Sequence, residues 1–380
     1  MKKKHKSPLH NTHIDSLTPY TLASHKVWSY KDKEKVLKLD WNESTIAPPP
    51  NVIQTLLTAL TSEKLNWYPN TNNTELIKKI SNYAKIPEKH IQYFAGSDAI
   101  HEYIIRIFSK HNDTALLISP TYDNFRFTCE SFGLKVRYFE LNHHFQFEVN
   151  KFIQQVSNTN PKVIYICNPN NPTGTTYPNT LIEKLLALHP QILFIIDEAY
   201  YEFANHTSKD LTKKFKNIII CRTFSKAFGL ASFRIGYIVA HPNIINIVSK
   251  VRNPKNISTL AQIAASTALS NVEYVSNFVK ENNIAKKEFE IFLEKNLPDK
   301  IHFLKGSGNF ILLKTDQQKE LISFLENNHV YTRVFNNATS LKNNIRITIG
   351  TKEQMQKNTK ITTRFFFNRK KIAIPYLKLK

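Results

Sequence analysis

Between about residues 90 and 240, short apolar runs alternate with amphipathic segments. Residues 115–119, 163–167, 193–196, 218–221 and 235–239 are brief and rich in β-branched side chains. Strands buried on both faces of a parallel sheet read this way. Residues 98–108 put Ile100, Ile104, Ile105 and Phe108 on one side of a helix. Strands alternating with helices predict an α/β layer: a mostly parallel sheet with helices on both faces. From 260 to 350 the pattern changes. A long helical period over 260–293, broken near Asn271, leads into short strands at 310–313 and 345–348. This predicts a smaller α+β domain. The expected organisation is a segment 1–40 that joins the small domain, a large domain 41–255, a small domain 256–356 and a basic tail 357–380. No internal repeat is evident.

Polar motifs follow the apolar runs. SPTYDNF comes after the first, NPNNPTG after the second, DEAYYEF after the third and RTFSKAF after the fourth. In open α/β sheets the carboxyl edge of the strands is where ligands bind. The stretch RTFSKAFGLASFRIGY also places Lys226 and Arg234 beside an apolar run, where charges need partners. Together the loops offer lysine, aspartate, tyrosine, asparagine, hydroxyls and arginine. Pyridoxal phosphate asks for all of these. A lysine bonds its aldehyde, a carboxylate pairs with its pyridine nitrogen, and an arginine, hydroxyls and a helix N-terminus take its phosphate.

Composition narrows the class. The chain has 380 residues, 41% hydrophobic and 22% charged, as in a globular protein with a sizeable core. Cys129, Cys167 and Cys221 form no CxxC pair, which argues for a reducing, cytoplasmic setting and against a disulfide frame or a metal site. No apolar run approaches the ~20 residues needed to span a bilayer, and the MKKKHK start lacks the apolar stretch of a secretory signal. The net charge of +22 raises the question of nucleic acid. Part of it is local: Lys2, Lys3, Lys4 and Lys6 crowd the start, and eight Lys or Arg with no acid follow from Lys357. Such tails read as solvated, so neither nucleic acid nor membrane is expected as a partner. His101, His143 and His144 show no ligand spacing and read as structural or solvated.

The motifs LTPY, LDWNES, WYPN, GSD, NPNNPTG, DEAYYEF, RTFSKAFGLASFRIGY, GNF and RITIG occur in this order from about Leu17 to Gln354. In them the chain resembles the class I/II pyridoxal-phosphate-dependent aminotransferases of fold type I, most closely the histidinol-phosphate aminotransferase group. The resemblance implies that Lys226 is the Schiff-base lysine and proton shuttle. Asp197 would pair with the pyridine nitrogen, Tyr200 and Asn171 would bond the ring oxygen, and Tyr122 would stack on the ring. Ser97, Asp98, Thr223, Ser225 and Arg234 would form the phosphate cup. Tyr68 would reach the partner's cofactor in a homodimer. Arg346 would take the substrate α-carboxylate, and Tyr20, Asn42 and Arg333 would line the substrate site, Tyr20 and Arg333 facing a substrate phosphate. The expected reaction moves an amino group between a small, phosphorylated or plain, amino acid or amino alcohol and a 2-oxo acid.

Two other readings compete. Threonine-phosphate decarboxylases resemble this group and share its phosphate site. A ligand sensor acting on DNA would need a helix-turn-helix domain ahead of the fold, and fewer than about 45 residues precede LDWNES. The chain also departs from the family pattern. Ala99 follows the aspartate of GSD where an acid is usual, Ser232 replaces a common glycine, and Trp41 with the run Pro48–Pro50 reshapes the substrate entrance. After TKEQMQ no helical stripe is apparent.

Overall fold

A computed structural model of the chain describes residues 10–20, 25–335 and 339–367. The lysines at the extreme start and the tail after Phe367 lie outside the described residues. Twelve strands occur among them: β1 (Leu37–Leu39), β2 (Ile91–Phe94), β3 (Thr114–Ser119), β4 (Lys135–Glu140), β5 (Val163–Cys167), β6 (Leu193–Asp197), β7 (Ile218–Thr223), β8 (Gly236–Ala240), β9 (His302–Leu304), β10 (Phe310–Lys314), β11 (Val330–Val334) and β12 (Asn344–Thr348). They form a seven-stranded sheet, β2-β8-β7-β6-β5-β3-β4, and a five-stranded one, β1-β11-β12-β10-β9.

In the larger sheet β4, β3, β5, β6 and β7 run parallel. Every side chain of β5, β6 and β7 is buried, which is why these strands read as unbroken apolar runs rather than alternating ones. The fifth run became β8, which is antiparallel to both of its neighbours. Its link from β7 explains the reversal. Residues 224–235 hold no crossover helix, and a parallel return needs one. Strands β2 and β4 complete the edges. β4 alternates charged and apolar positions and is exposed along most of its length, as an edge strand should be.

Two apolar cores result, one around each sheet. The helix Val272–Asn296 runs between them: Val275 and Phe278 pack in the larger core, Ala285, Phe289 and Leu293 in the smaller. The chain therefore passes from one core to the other inside a helix, not near residue 255. At the other end, β1 pairs in parallel with β11, and Leu37 and Leu39 enter the smaller core.

The segment from 357 differs from the irregular tail expected of it. It continues the helix Lys352–Phe367. Met355, Asn358, Ile361 and Thr362 are buried, and Phe365 and Phe366 pack against the small core. The stripe has helical spacing, but Asn358 and Thr362 occupy two of its positions, so a hydrophobic pattern does not reveal it.

Candidate active site

The parallel strands end level with one another. Cys167 of β5, Asp197 of β6 and Cys221 of β7 are register partners, so the loops leaving them share one edge of the sheet. Asp197 is buried at 2% exposure. Its Oδ2 accepts the Tyr165 hydroxyl at 2.8 Å, and its Oδ1 accepts the Ala199 backbone N–H at 3.1 Å. Tyr200 is buried beside it and accepts an N–H from Asn42 at 3.1 Å. Burial pushes the Tyr200 hydroxyl well above its ordinary range, so it is a neutral donor.

Lys226 lies on the loop after β7, with Nζ donating to the Trp41 carbonyl at 2.9 Å and 5.8 Å from the centre of the Tyr200 ring. Burial, helped by the Arg346 cation, lowers its ammonium to about 8. A neutral amine near physiological pH is what a lysine needs to attack a carbonyl.

The side expected to face an anion is built on the helix Gly96–Phe108. Gly96 adopts φ +86°, which favours glycine, and a Cβ there would come within 2.7 Å of the Arg234 guanidinium and push it aside. Arg234 itself sits in the left-handed region at φ +50°. It donates to the Ala231 carbonyl at 2.9 Å and reaches Ser225 Oγ at 3.5 Å. Thr223 donates to Ser225 Oγ at 2.8 Å. Ser97 opens the helix, where backbone N–H groups are free to face an anion. Asp98 follows Ser97 in the same first turn. It accepts from Tyr122 at 3.1 Å and Asn124 at 3.0 Å, and lies 3.4 Å from Arg234. Its side chain thus ties Tyr122 and Asn124 to Arg234, while its backbone lies in the first turn of the helix.

The smaller sheet supplies the opposite wall. Arg346 of β12 is buried; its Nη1 donates to Asn171 Oδ1 at 2.7 Å and its Nη2 to the Asp40 carbonyl. Its Nε is buried without a hydrogen-bond partner. Burial is the main cause that lowers its pKa, and the Arg333 cation adds to it. Arg333 of β11 is the direct cross-strand partner of Arg346, so the two guanidinium groups project from the same face of the sheet. Tyr20 packs edge-on to Tyr122, ring centres 6.3 Å apart, and feels both arginines. Asn42 is tied down on every side: it donates to Tyr200, accepts from Thr348 at 3.1 Å, and offers its carbonyl to Asn309 at 3.1 Å.

Fourteen of the fifteen expected site residues thus converge where the two sheets face each other. Tyr68 does not. It is 77% exposed, with Lys255 Nζ 4.5 Å over its ring, and touches none of the others. Four contributors went unrecognised: Tyr165, His101, and the backbone carbonyls of Asp40 and Trp41. Tyr165 could have been found by period, since it lies two residues before Cys167 and so on the same face of β5. His101 shares the buried stripe of its helix with Ile100, Ile104 and Ile105; a polar residue there was the signal. It is fully buried, with Nε2 3.4 Å from Asp197 Oδ2. A buried charge pair links the residue after β6 to β7: Arg222 donates twice to Glu198 Oε2, at 3.0 and 2.8 Å.

Residues 34–360 match the family described as aminotransferase class I and II, and the chain belongs to it. The chain is 42% identical over 347 residues to a dihydroxyacetone phosphate transaminase of Campylobacter jejuni, covering 91% of this chain and 94% of that one. It is 33% identical over 344 residues to a histidinol-phosphate aminotransferase of Ruminiclostridium cellulolyticum, covering 90% and 96%. Its fold matches that of the histidinol-phosphate aminotransferase of Sinorhizobium meliloti, solved with pyridoxal-5'-phosphate, at a TM-score of 0.83 and 20% identity, covering 95% and 98%. The chain is an aminotransferase of fold type I.

Proposed function

From its membership of this family, we propose that the chain uses pyridoxal phosphate to exchange an amino group between an amino acid and a small phosphorylated ketone. The residues fit the coenzyme. Lys226 is a poised amine, Asp197 a buried carboxylate with capacity to spare, and the Gly96 backbone leaves room for the Arg234 guanidinium. When bound, the coenzyme supplies an electron sink for the bond broken at the amino-bearing carbon. Lys226 Nζ would hold it and would move the proton at that carbon, Asp197 would pair with its ring nitrogen, and Tyr200 and Asn171 would bond its ring oxygen. Tyr122 would cover the ring, and Ser97, Asp98, Thr223, Ser225 and Arg234 would form the cup for the phosphate.

The observation that carries the substrate class is the pairing of Arg333 with Arg346. Like charges directly opposite on one face of a sheet repel, and a dianionic phosphate offers both of them oxygen acceptors in fork geometry. Tyr20 adds a neutral hydroxyl donor. Such a site accepts a phosphate ester in one half-reaction and an amino-acid carboxylate in the other. Dihydroxyacetone phosphate, the substrate named for the Campylobacter relative, has that chemistry. Its amination would give 2-amino-3-hydroxypropyl phosphate while the donor leaves as a 2-oxo acid.

The active unit is read as a homodimer. Ile53, Leu57 and Leu60 on the helix Pro50–Ser62, followed by Leu65, Trp67 and Tyr68, form a run of large side chains each at least 44% exposed. A second copy would cover this face and carry Tyr68 to its neighbour's site. The buried, unpaired Cys129, Cys167 and Cys221 support a reducing, cytoplasmic location.

The test is a half-reaction comparison. Coenzyme-loaded protein is mixed with 2-amino-3-hydroxypropyl phosphate, histidinol phosphate and their dephosphorylated forms, and the coenzyme's colour is followed. The phosphate esters should react with kcat/KM at least about 100-fold higher, the value of two charge-assisted contacts. Equal rates with and without phosphate would refute the substrate class.

A further inference from the structure

His101 is an unusual core residue. It is fully buried, and neither ring nitrogen has a hydrogen-bond partner by normal geometry. An apolar side chain there would avoid the cost of stranding polar atoms. Its ring is boxed edge-on by Phe125 at 5.1 Å and Tyr165 at 5.6 Å, and those two stack on each other at 4.0 Å. The box aims Nε2 at Asp197 Oδ2, 3.4 Å away.

We infer that His101 is a positioning residue for Asp197, donating from Nε2 to Oδ2 and fixing the carboxylate for the coenzyme's ring nitrogen. This rests on the pyridoxal-phosphate reading above. A carboxylate has about four lone-pair sites. On Asp197, Tyr165 and the Ala199 N–H fill two of them. His101 fills a third, leaving one site and one direction for the ring nitrogen. A shift of about 0.5 Å brings the His101 contact to ordinary hydrogen-bond length. Asp197 is held from three elements at once: β5 through Tyr165, the helix Gly96–Phe108 through His101, and its own turn through Ala199. The same helix opens with Ser97 at the phosphate cup. One rigid element thus spans from the phosphate end of the coenzyme to its ring-nitrogen end.

The experiment measures coenzyme binding to the full-length apoprotein, with apoprotein thermal stability as the control for packing. His101→Phe keeps an aromatic ring in the box and removes the donor; His101→Gln restores an N–H. His101→Met is the donor-free comparison should the Phe variant not fold. The donor-free variant should bind pyridoxal phosphate about tenfold more weakly, the value of one hydrogen bond to a charged group, with an apoprotein melting temperature no more than about 2 °C lower. His101→Gln should recover most of the affinity. A donor-free variant that binds within about twofold of the unsubstituted protein overturns the inference. So does a Gln variant as weak as the donor-free one. Coenzyme uptake by the unsubstituted protein is the separate check on the proposed function.

Discussion

The lowered ammonium of Lys226 gives the sharpest quantitative test. With its pKa at about 8 instead of the ordinary 10.5, the neutral fraction at pH 7.5 is about 0.2 rather than about 0.001. The attacking amine is therefore on the order of 200-fold more abundant. Mixing apoprotein with pyridoxal phosphate and following absorbance gives the rate of covalent attachment. The pH–rate profile should rise and level off at about 8. A rise that continues past about pH 10, where free lysine titrates, would refute the reasoning. Arg346→Met removes the second cause of the lowering and should move the break upward.

The same shift has a stability consequence, and its sign is fixed. The folded pKa lies below the unfolded one, so the folded apoprotein disfavours the proton. The full penalty applies below about pH 8, shrinks as the pH rises and vanishes above about 10.5. From the difference between the two pKa values it is on the order of 3 kcal/mol. Lys226→Met should therefore stabilise the apoprotein at pH 7 by up to that amount and by nothing at pH 11, read from urea unfolding. A destabilised variant at pH 7 would show that the lysine is better solvated than its surroundings imply.

Arg333→Gln should lower kcat/KM for a phosphorylated amine about 30-fold or more while leaving an unphosphorylated amino-acid donor within about threefold, in the same colour-change assay; an equal loss on both would remove Arg333 from phosphate recognition. Glu198→Gln strands the Arg222 cation in the core and should cost about 3–5 kcal/mol in urea unfolding; a neutral result would mean that water or a neighbour takes over the charge. Leu57→Glu with Leu60→Glu should turn a dimer into a monomer in sedimentation and sharply reduce activity, because Tyr68 is then lost to the neighbouring site. A variant that stays dimeric places the interface elsewhere.

The central strands were legible because they are buried on both faces, so they appear as short unbroken apolar runs whose ends carry the polar loops. Four of those loops hold eight of the site residues. The edges were less so: β2 and β4 carry too much polarity to stand out, and β8 shares the composition of its parallel neighbours while running the other way. Only the length of the 224–235 connection contained that information. The last helix was hidden because Asn358 and Thr362 take buried positions. His101 was passed over for a related reason. Its meaning depends on Asp197, 96 residues away in sequence, and no local period links the two.

Arg346 shows why a proposed substrate residue is hard to prove by mutation. Its guanidinium belongs to the small sheet through β12, yet one nitrogen grips Asn171 on the large sheet's loop and another the Asp40 carbonyl. Close by, the Ser307 N–H donates to the Gly174 carbonyl at 2.7 Å, and a Cβ on Gly306 would lie 2.8 Å from Gly174, so the two loops meet backbone to backbone. Removing Arg346 would unpair Asn171 and loosen this seam as well as weaken binding, and a fall in rate would not distinguish the two. Arg333 stands directly opposite Arg346 on the neighbouring strand, so its proposed effect on phosphate is one of charge. The ratio of phosphorylated to plain substrate in Arg333→Gln isolates recognition, because a shifted seam would slow both substrates alike.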